Sequence, residues 1–204
     1  MLHIYLARHG QNVDNVNGIL NGHRDLPLTK LGEQQAAETA AHIKEAQLHF
    51  DAVYCSPLQR AKHTAEIICT EIGHTPPTVH EKLIERDFGT MTGKPISSIK
   101  ELCTDILETD VITYFLSAEG GESFNEAIKR AASLLQEMQD THNDGSILLV
   151  THGDIGKMLY AAYYELPWMD VLKNFHFGNC ELILLSPDSP ADQAHVFEQE
   201  QHNH

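Results

Sequence analysis

Arg8 and His9 close a short apolar run, Ile4-Tyr5-Leu6-Ala7, and are followed at once by Gly10. A strand that stops on Arg-His-Gly delivers a cation and an imidazole to the carboxyl edge of a sheet, where open α/β sheets keep their ligand crevices. Gly10 is expected to let the backbone turn sharply away. Two further apolar runs end in the same way: Phe50 to Cys55 gives way to Ser56-Pro57 with Arg60 close behind, and Ser146 to Val150 gives way to Thr151-His152-Gly153. Singly, these are a surface arginine, a helix arginine and two loop histidines. If the strands are parallel, their endings share one edge, and two arginines and two histidines converge there. Arginine forks bind a phosphoryl group and neutralise its charge without proton transfer. A histidine that is neutral at one nitrogen and held at the other can attack phosphorus, while the second histidine donates to a phosphoryl oxygen. An alkoxide leaving group then needs a carboxylic acid, and Glu85, in a loop before Phe88-Gly89, is a candidate by position.

The elements that must position these groups are legible in outline. Residues 11–28 are rich in Asn, Gly, Asp and Pro and read as a long loop, uncommon in a compact domain unless it has a role. Thr29 is a plausible N-cap for a helix over 30–46 with an alanine-rich apolar face. Ser56-Pro57-Leu58-Gln59 has the form of a capping box, and Leu58, Ala61, Ala65, Ile68 and Ile72 continue it as a core-facing stripe that leaves Arg60 off the buried side. Residues 78–84 read as irregular extended chain, 96–107 as a short helix and 110–121 as a loop. Ser123-Phe124-Asn125-Glu126 is a second capping box, opening a helix to about Met138. A helix over 154–164, a turn at Pro167, a helical or irregular piece to about Lys173, a strand from Glu181 to Leu185 and a short edge strand from His195 to Glu198 complete the chain. This alternation predicts a three-layer α/β/α fold with a mostly parallel central sheet.

The chain's 204 residues suit one domain, 1–204, able to bury roughly 70% of its unfolded surface. No stretch approaches a transmembrane span and Met1-Leu2-His3 leads straight into strand-like sequence, so a cytoplasmic protein is expected. Cys55, Cys69, Cys103 and Cys180 are scattered without metal-ligand spacing and read as reduced thiols. The terminal His202-Asn203-His204 reads as a frayed tail rather than a metal site. A net charge of −15 argues against nucleic acid and anionic membranes as partners, and implies that an anion would be handled where some of the 14 Lys and Arg residues are concentrated into one positive pocket.

Together, Arg8-His9-Gly10, Ser56-Pro57-Leu58 with Arg60-Ala61 and Thr64-Ala65, Leu83 and Glu85 with Gly89, and Thr151-His152-Gly153 resemble the histidine phosphatase superfamily, the phosphoglycerate-mutase-like proteins, over about residues 2–186. The resemblance implies that His9 forms a phosphohistidine, that Arg8, Arg60 and His152 hold the phosphoryl group, and that Glu85 is the general acid that later activates water. It matches Asn15 to an asparagine that approaches the phosphate and Gly153 to a glycine beside the second histidine. It implies no metal and no organic cofactor. Ile19, Asn21 and Thr92 depart from residues common in the family (arginine, glutamine and glutamate), which bears on substrate identity. Mutase relatives clamp a carboxylate with basic residues after the glutamate loop; Arg86 matches one such position, whereas Ile96 replaces a lysine and 97–121 holds no paired arginines. Hydrolysis of a small phosphorylated metabolite, by a phosphoric monoester hydrolase of the histidine acid type, is therefore the expected activity. A phosphoglycerate mutase-type transferase and a noncatalytic phosphate-binding module are the alternatives. Gln11, Ile19, His23, Arg24, Arg86 and Lys94 are candidates for touching the leaving group, and Trp168, Met169 and Phe175 offer either core packing or a dimer patch in a protein expected to be a monomer or homodimer.

Overall fold

The computed structural model describes residues 1–201; the histidine-bearing tail, 202–204, lies outside them. The chain opens with β1 (Leu2–Arg8), α1 (Val13–Asn17), α2 (Lys30–Glu45), β2 (Ala52–Cys55), α3 (Gln59–Ile72) and β3 (Thr78–Val79). Then come α4 (Ile99–Leu102), β4 (Ile106–Glu108), β5 (Thr113–Phe115), α5 (Phe124–Thr141), β6 (Gly145–Thr151), α6 (Gly153–Tyr163), α7 (Trp168–Asn174), β7 (Leu182–Leu185) and β8 (His195–Phe197). Six strands form one sheet in the order β3-β2-β6-β1-β7-β8. β3, β2, β6 and β1 are parallel, while β7 runs antiparallel to β1 and β8 antiparallel to β7. The predicted mostly parallel sheet is thus present.

The sheet is buried on both faces, and its strands alternate accordingly. Ile4, Leu6, Ile147, Leu149 and Ile183 meet Leu134, Met138, Ile155 and Leu159 from α5 and α6. Tyr5, Ala7, Val53, Cys55, Leu148 and Val150 meet Ala40, Ile43, Ala61, Ala65 and Ile68 from α2 and α3 on the other face. Register does the rest: Arg8 lies opposite Thr151 and Cys55 opposite Val150, so the residues that follow these strands emerge side by side. The ladder continues one step further, with His9 N donating to Thr151 O (3.0 Å) and Ser56 N to Val150 O (3.0 Å).

Several local expectations change. The 11–28 loop contains α1, opened by a capping box between Asn12 and Asn15. Thr29 caps α2 through Gly32 N, and Ser123 and Glu126 form the second capping box. The box at Ser56 does not form: α3 starts at Gln59 with Leu58 as its N-cap, and Ser56 Oγ accepts from Leu58 N while facing His152. Asp25 takes over the capping role, its Oδ1 accepting from Gln59 N at 2.6 Å. Residues 78–84 supply β3 and a 3-10 turn, Glu81–Leu83. The helix expected over 96–107 is a 3-10 turn, Ile96–Ser98, followed by the single turn of α4; β4 and β5 pair as a hairpin where helix end and loop were expected. The segment that carries α4, β4 and β5 forms a cap with its own small core of Phe88, Met91, Ile99 and Phe115.

Trp168 stacks on Phe124 (centroids 5.2 Å apart) and Phe175 on Tyr160 (3.8 Å), so two members of the proposed apolar patch pack within the chain, leaving Met169 exposed. Among the described residues no helix is long and apolar enough to cross a membrane.

Gly10 serves close approach rather than a left-handed turn. A Cβ there would overlap the carbonyl oxygen of Gly32, and both partners are backbone that cannot rotate aside. Gly10→Ala is therefore expected to cost about 2–4 kcal/mol, as overpacking against an immovable neighbour does. Chemical denaturation checks this, and a loss under 0.5 kcal/mol, roughly that of a neutral surface change, would contradict the packing assignment.

Candidate active site

At the carboxyl edge of β1, β2 and β6, Arg60 reaches inward from the first turn of α3, and it is completely buried rather than off the packed side. Its Nε donates to His9 Nε2 (3.2 Å) and to His152 Nδ1 (3.2 Å). Its Nη1 donates to Arg24 O (2.6 Å) and its Nη2 to Gly22 O (2.9 Å), so the N-terminal loop supplies the acceptors that make burial of a guanidinium tolerable. The two imidazoles lie edge to face with centroids 5.1 Å apart.

This network assigns the tautomers. His9 Nδ1–H donates to the carbonyl of Gly10 (2.7 Å), which leaves a lone pair on Nε2 directed into the cluster. His152 accepts on Nδ1, and its Nε2–H donates to Ser56 Oγ (2.7 Å). Burial, then the fields of Arg60 and other cations including Arg8, push both histidines well below their usual pKa, so both are neutral. Burial also draws the Arg60 guanidinium down to about 10, which leaves it charged at neutral pH.

Arg8 completes the cationic side. Its Nη1 donates to Phe177 O (3.0 Å) and its guanidinium lies against Gly153 at the start of α6. Its Nε is buried with no hydrogen-bond acceptor among the described residues, a donor that an oxyanion would satisfy. The segment after α7 ties the end of β1 down: Asn179 Nδ2 donates to His9 O (2.8 Å) and Cys180 N to Arg8 O (3.1 Å).

Glu85 is buried at the amino end of α6. Oε1 accepts from Arg86 N (2.8 Å) and Ile155 N (3.1 Å), and Oε2 from Asp154 N (3.3 Å). Burial and then the neighbouring Asp154 carboxylate raise its pKa, against the pull of these N–H groups and of Arg60. A carboxyl whose acid form is favoured in this way is suited to giving up a proton and later recovering one. Among the described residues no group of three or more His, Cys, Asp or Glu side chains is placed to hold a metal ion.

The model of the histidine phosphatase superfamily (branch 1) matches residues 4–198. The chain belongs to that superfamily. An adenosylcobalamin/alpha-ribazole phosphatase of Salmonella typhimurium is 31% identical over 174 residues, covering 81% of each chain. The phosphoglycerate mutase-like protein 4 of Arabidopsis thaliana is 31% identical over 163 residues, 77% of this chain and 69% of that one. Among solved structures, a phosphoserine phosphatase mutant from Entamoeba histolytica in complex with phosphoserine superposes with a TM-score of 0.73 at 28% identity, covering 90% of both chains.

Not every expected residue of this histidine phosphatase chain faces the cluster. Arg86 is fully engaged inside the protein, paired with Asp154 and stacked among three rings, so it cannot reach a leaving group. Gln11 gives its side-chain oxygen to Thr29 Oγ1 (2.8 Å), part of the α2 cap. Asn15 gives its oxygen to Asn12 N, which leaves its amide hydrogens as what it can offer a phosphate. Arg24 holds Asp14 through Nε (2.8 Å) and Nη2 (3.3 Å) while its side chain stays about two-fifths exposed. His23 is exposed and its Nε2–H donates to Glu85 O (2.7 Å), which places it beside the main chain of Glu85. Ile19 bridges to Pro95, and Lys94 is exposed on the cap.

Sequence reasoning passed over Asn179, Asp154 and Lys157. A lysine inside the apolar run Ile155–Ala161 was the available signal. Lys157 Nζ is buried in α6, donating to Tyr114 Oη (2.5 Å) and lying 5.0 Å from that ring's centroid. Burial lowers its pKa to about 8. Below pH 8 the burial cost is fully present; between about 8 and 10.5 the unfolded chain binds more protons, so stability rises with pH there. Lys157→Met is expected to stabilise the fold by about 2 kcal/mol at pH 7, an advantage that vanishes above about pH 10.5. Urea denaturation at several pH values tests this, and a pH-independent difference would refute it.

Proposed function

We propose that this superfamily member hydrolyses phosphomonoesters through a phosphohistidine on His9, acting as one catalytic domain. The observation that carries the reading is the donation of a single Arg60 Nε–H to two neutral imidazoles, which places His9 Nε2, His152 and a guanidinium around one point. In the first step the Nε2 lone pair attacks phosphorus as the ester P–O bond breaks, and Glu85 passes its proton to the departing alkoxide. Arg8 and Arg60 hold the equatorial oxygens. In the Nδ1–H tautomer, the alternative to the one assigned above, His152 donates to one of them while its Nε2 accepts from the rotated Ser56 hydroxyl. In the second step water attacks phosphorus, Glu85 takes its proton and the N–P bond breaks, returning neutral His9 and inorganic phosphate.

Hydrolysis is favoured over a mutase because Arg86, at the position where mutase relatives carry a carboxylate-clamping cation, is committed to the interior. The relatives named above differ in what their names say they act on, and a small phosphorylated metabolite is the substrate class they share with this reading.

His9→Ala is expected to abolish both turnover and acid-labile phosphate labelling of purified protein; unchanged hydrolysis would remove the nucleophile. With both histidines held neutral and Glu85 raised, activity on alkyl esters should persist below pH 6 and fall on the alkaline side as Glu85 ionises, an acid-type profile. The pH dependence of kcat/KM tests this, and Glu85→Gln should erase the alkaline limb while slowing poor leaving groups most. Fast interconversion of phosphoglycerates with little phosphate release would instead favour the mutase.

A further inference from the structure

Arg86 and Asp154 are each bonded to Glu85 through their main-chain nitrogens and to one another through their side chains. Arg86 N donates to Glu85 Oε1, Arg86 Nε to Asp154 Oδ2 (2.9 Å), and Asp154 N to Glu85 Oε2. The three residues thus form a closed ring joining the glutamate loop to the amino end of α6. The ion pair is well sealed, with the Arg86 side chain 1% and the Asp154 side chain 14% exposed. Arg86 is further fixed by Nη1 on Glu122 O (3.1 Å) and Nη2 on Phe115 O (3.3 Å). Its guanidinium carbon lies 4.9, 4.4 and 4.2 Å from the ring centroids of Phe88, Phe115 and Phe124.

We propose that Arg86 and Asp154 are positioning residues for the Glu85 carboxyl, holding it where it can protonate the leaving oxygen. The inference rests on the reading of Glu85 as general acid. The physical ground is that a buried carboxyl held only by three N–H groups could follow any shift of its loop, whereas here such a shift must also break a buried arginine–carboxylate pair. A lysine at position 86 could not reproduce the arrangement, since the guanidinium fork serves a carboxylate and two carbonyls while its plane packs among aromatic rings. The charged and titratable groups facing Glu85 are Asp154 and Lys157 from α6, Arg60 from α3 and Arg86 from its own loop, with the His23 ring against its carbonyl.

The test compares p-nitrophenyl phosphate, whose leaving group needs no acid, with ethyl phosphate, whose leaving group does. Asp154→Asn and Arg86→Lys are expected to lose at least about tenfold more kcat/KM on ethyl phosphate than on p-nitrophenyl phosphate, a modest share of what general acids supply. Vanadate affinity should stay within about threefold, because the phosphate clamp is built from other residues. Asp154→Asn should also move the alkaline limb on ethyl phosphate to lower pH, since the carboxylate that raises Glu85 is gone, and Asp154→Glu should regain most of the lost rate. Equal losses on both esters together with weakened vanadate binding, or failure of both variants to fold, would mean that the pair holds the fold rather than the acid, and would overturn the proposal. Glu85→Gln is run in parallel. If it shows no leaving-group preference, the acid assignment fails; if it does and the two variants do not, only the positioning role fails.

Discussion

A guanidinium sealed from water is tolerable only when its N–H groups are met, and at Arg60 they are met by two imidazoles and by the loop that covers them. One edge contacts two imidazoles and the other two backbone carbonyls, of Gly22 and Arg24. The cation cannot move without exposing unsatisfied donors, and the histidines cannot protonate without facing it. The neutral His9, the paired imidazole of His152 and the folded N-terminal loop are therefore aspects of one electrostatic arrangement, which the rest of the structure serves to hold in place.

That arrangement reconciles a net charge of −15 with the handling of a dianion. The acidic residues near the site are turned to local use: Asp14 holds Arg24, Asp25 caps α3, and Asp154 faces Arg86. Among the described residues Arg8 and Arg60 have no carboxylate partner in their hydrogen bonds, so their charge is available to an anion.

Much of this was legible in the residues because it depends on strand endings. Three apolar runs closing on Arg8-His9, Ser56 and Thr151-His152 imply a shared edge as soon as the strands are taken as parallel, and the helices capped by Thr29 and Ser123 carry their signals locally. What escaped depends on distant partners. Ser56, Pro57 and Gln59 have the local form of a capping box, yet the serine is drawn away by an imidazole 96 positions later and an aspartate from another loop does the capping. Arg60 lies off the apolar stripe of its own helix and is nevertheless buried, because the covering loop is remote in sequence. Arg86 has the composition of a ligand contact, and its internal role emerges only with Asp154 and the cap phenylalanines assembled around it. β4 and β5, three residues each, are too short for periodicity to reveal.

The cap is assembled from its own hairpin and its own cluster of Phe88, Met91, Ile99 and Phe115, and lends no strand to the six-stranded sheet. Lengthening or shortening it leaves the alignment of Arg8 with Thr151 and of Cys55 with Val150 untouched, whereas a single insertion in β1 would invert every side chain beyond it. The molecule therefore separates a portion that can vary in size and chemistry from a portion in which even one added residue is ruinous. New substrate preferences can arise in the first while the strand register of the second is kept, provided that Phe88 and Phe115, which also brace Arg86 beside Glu85, stay in place.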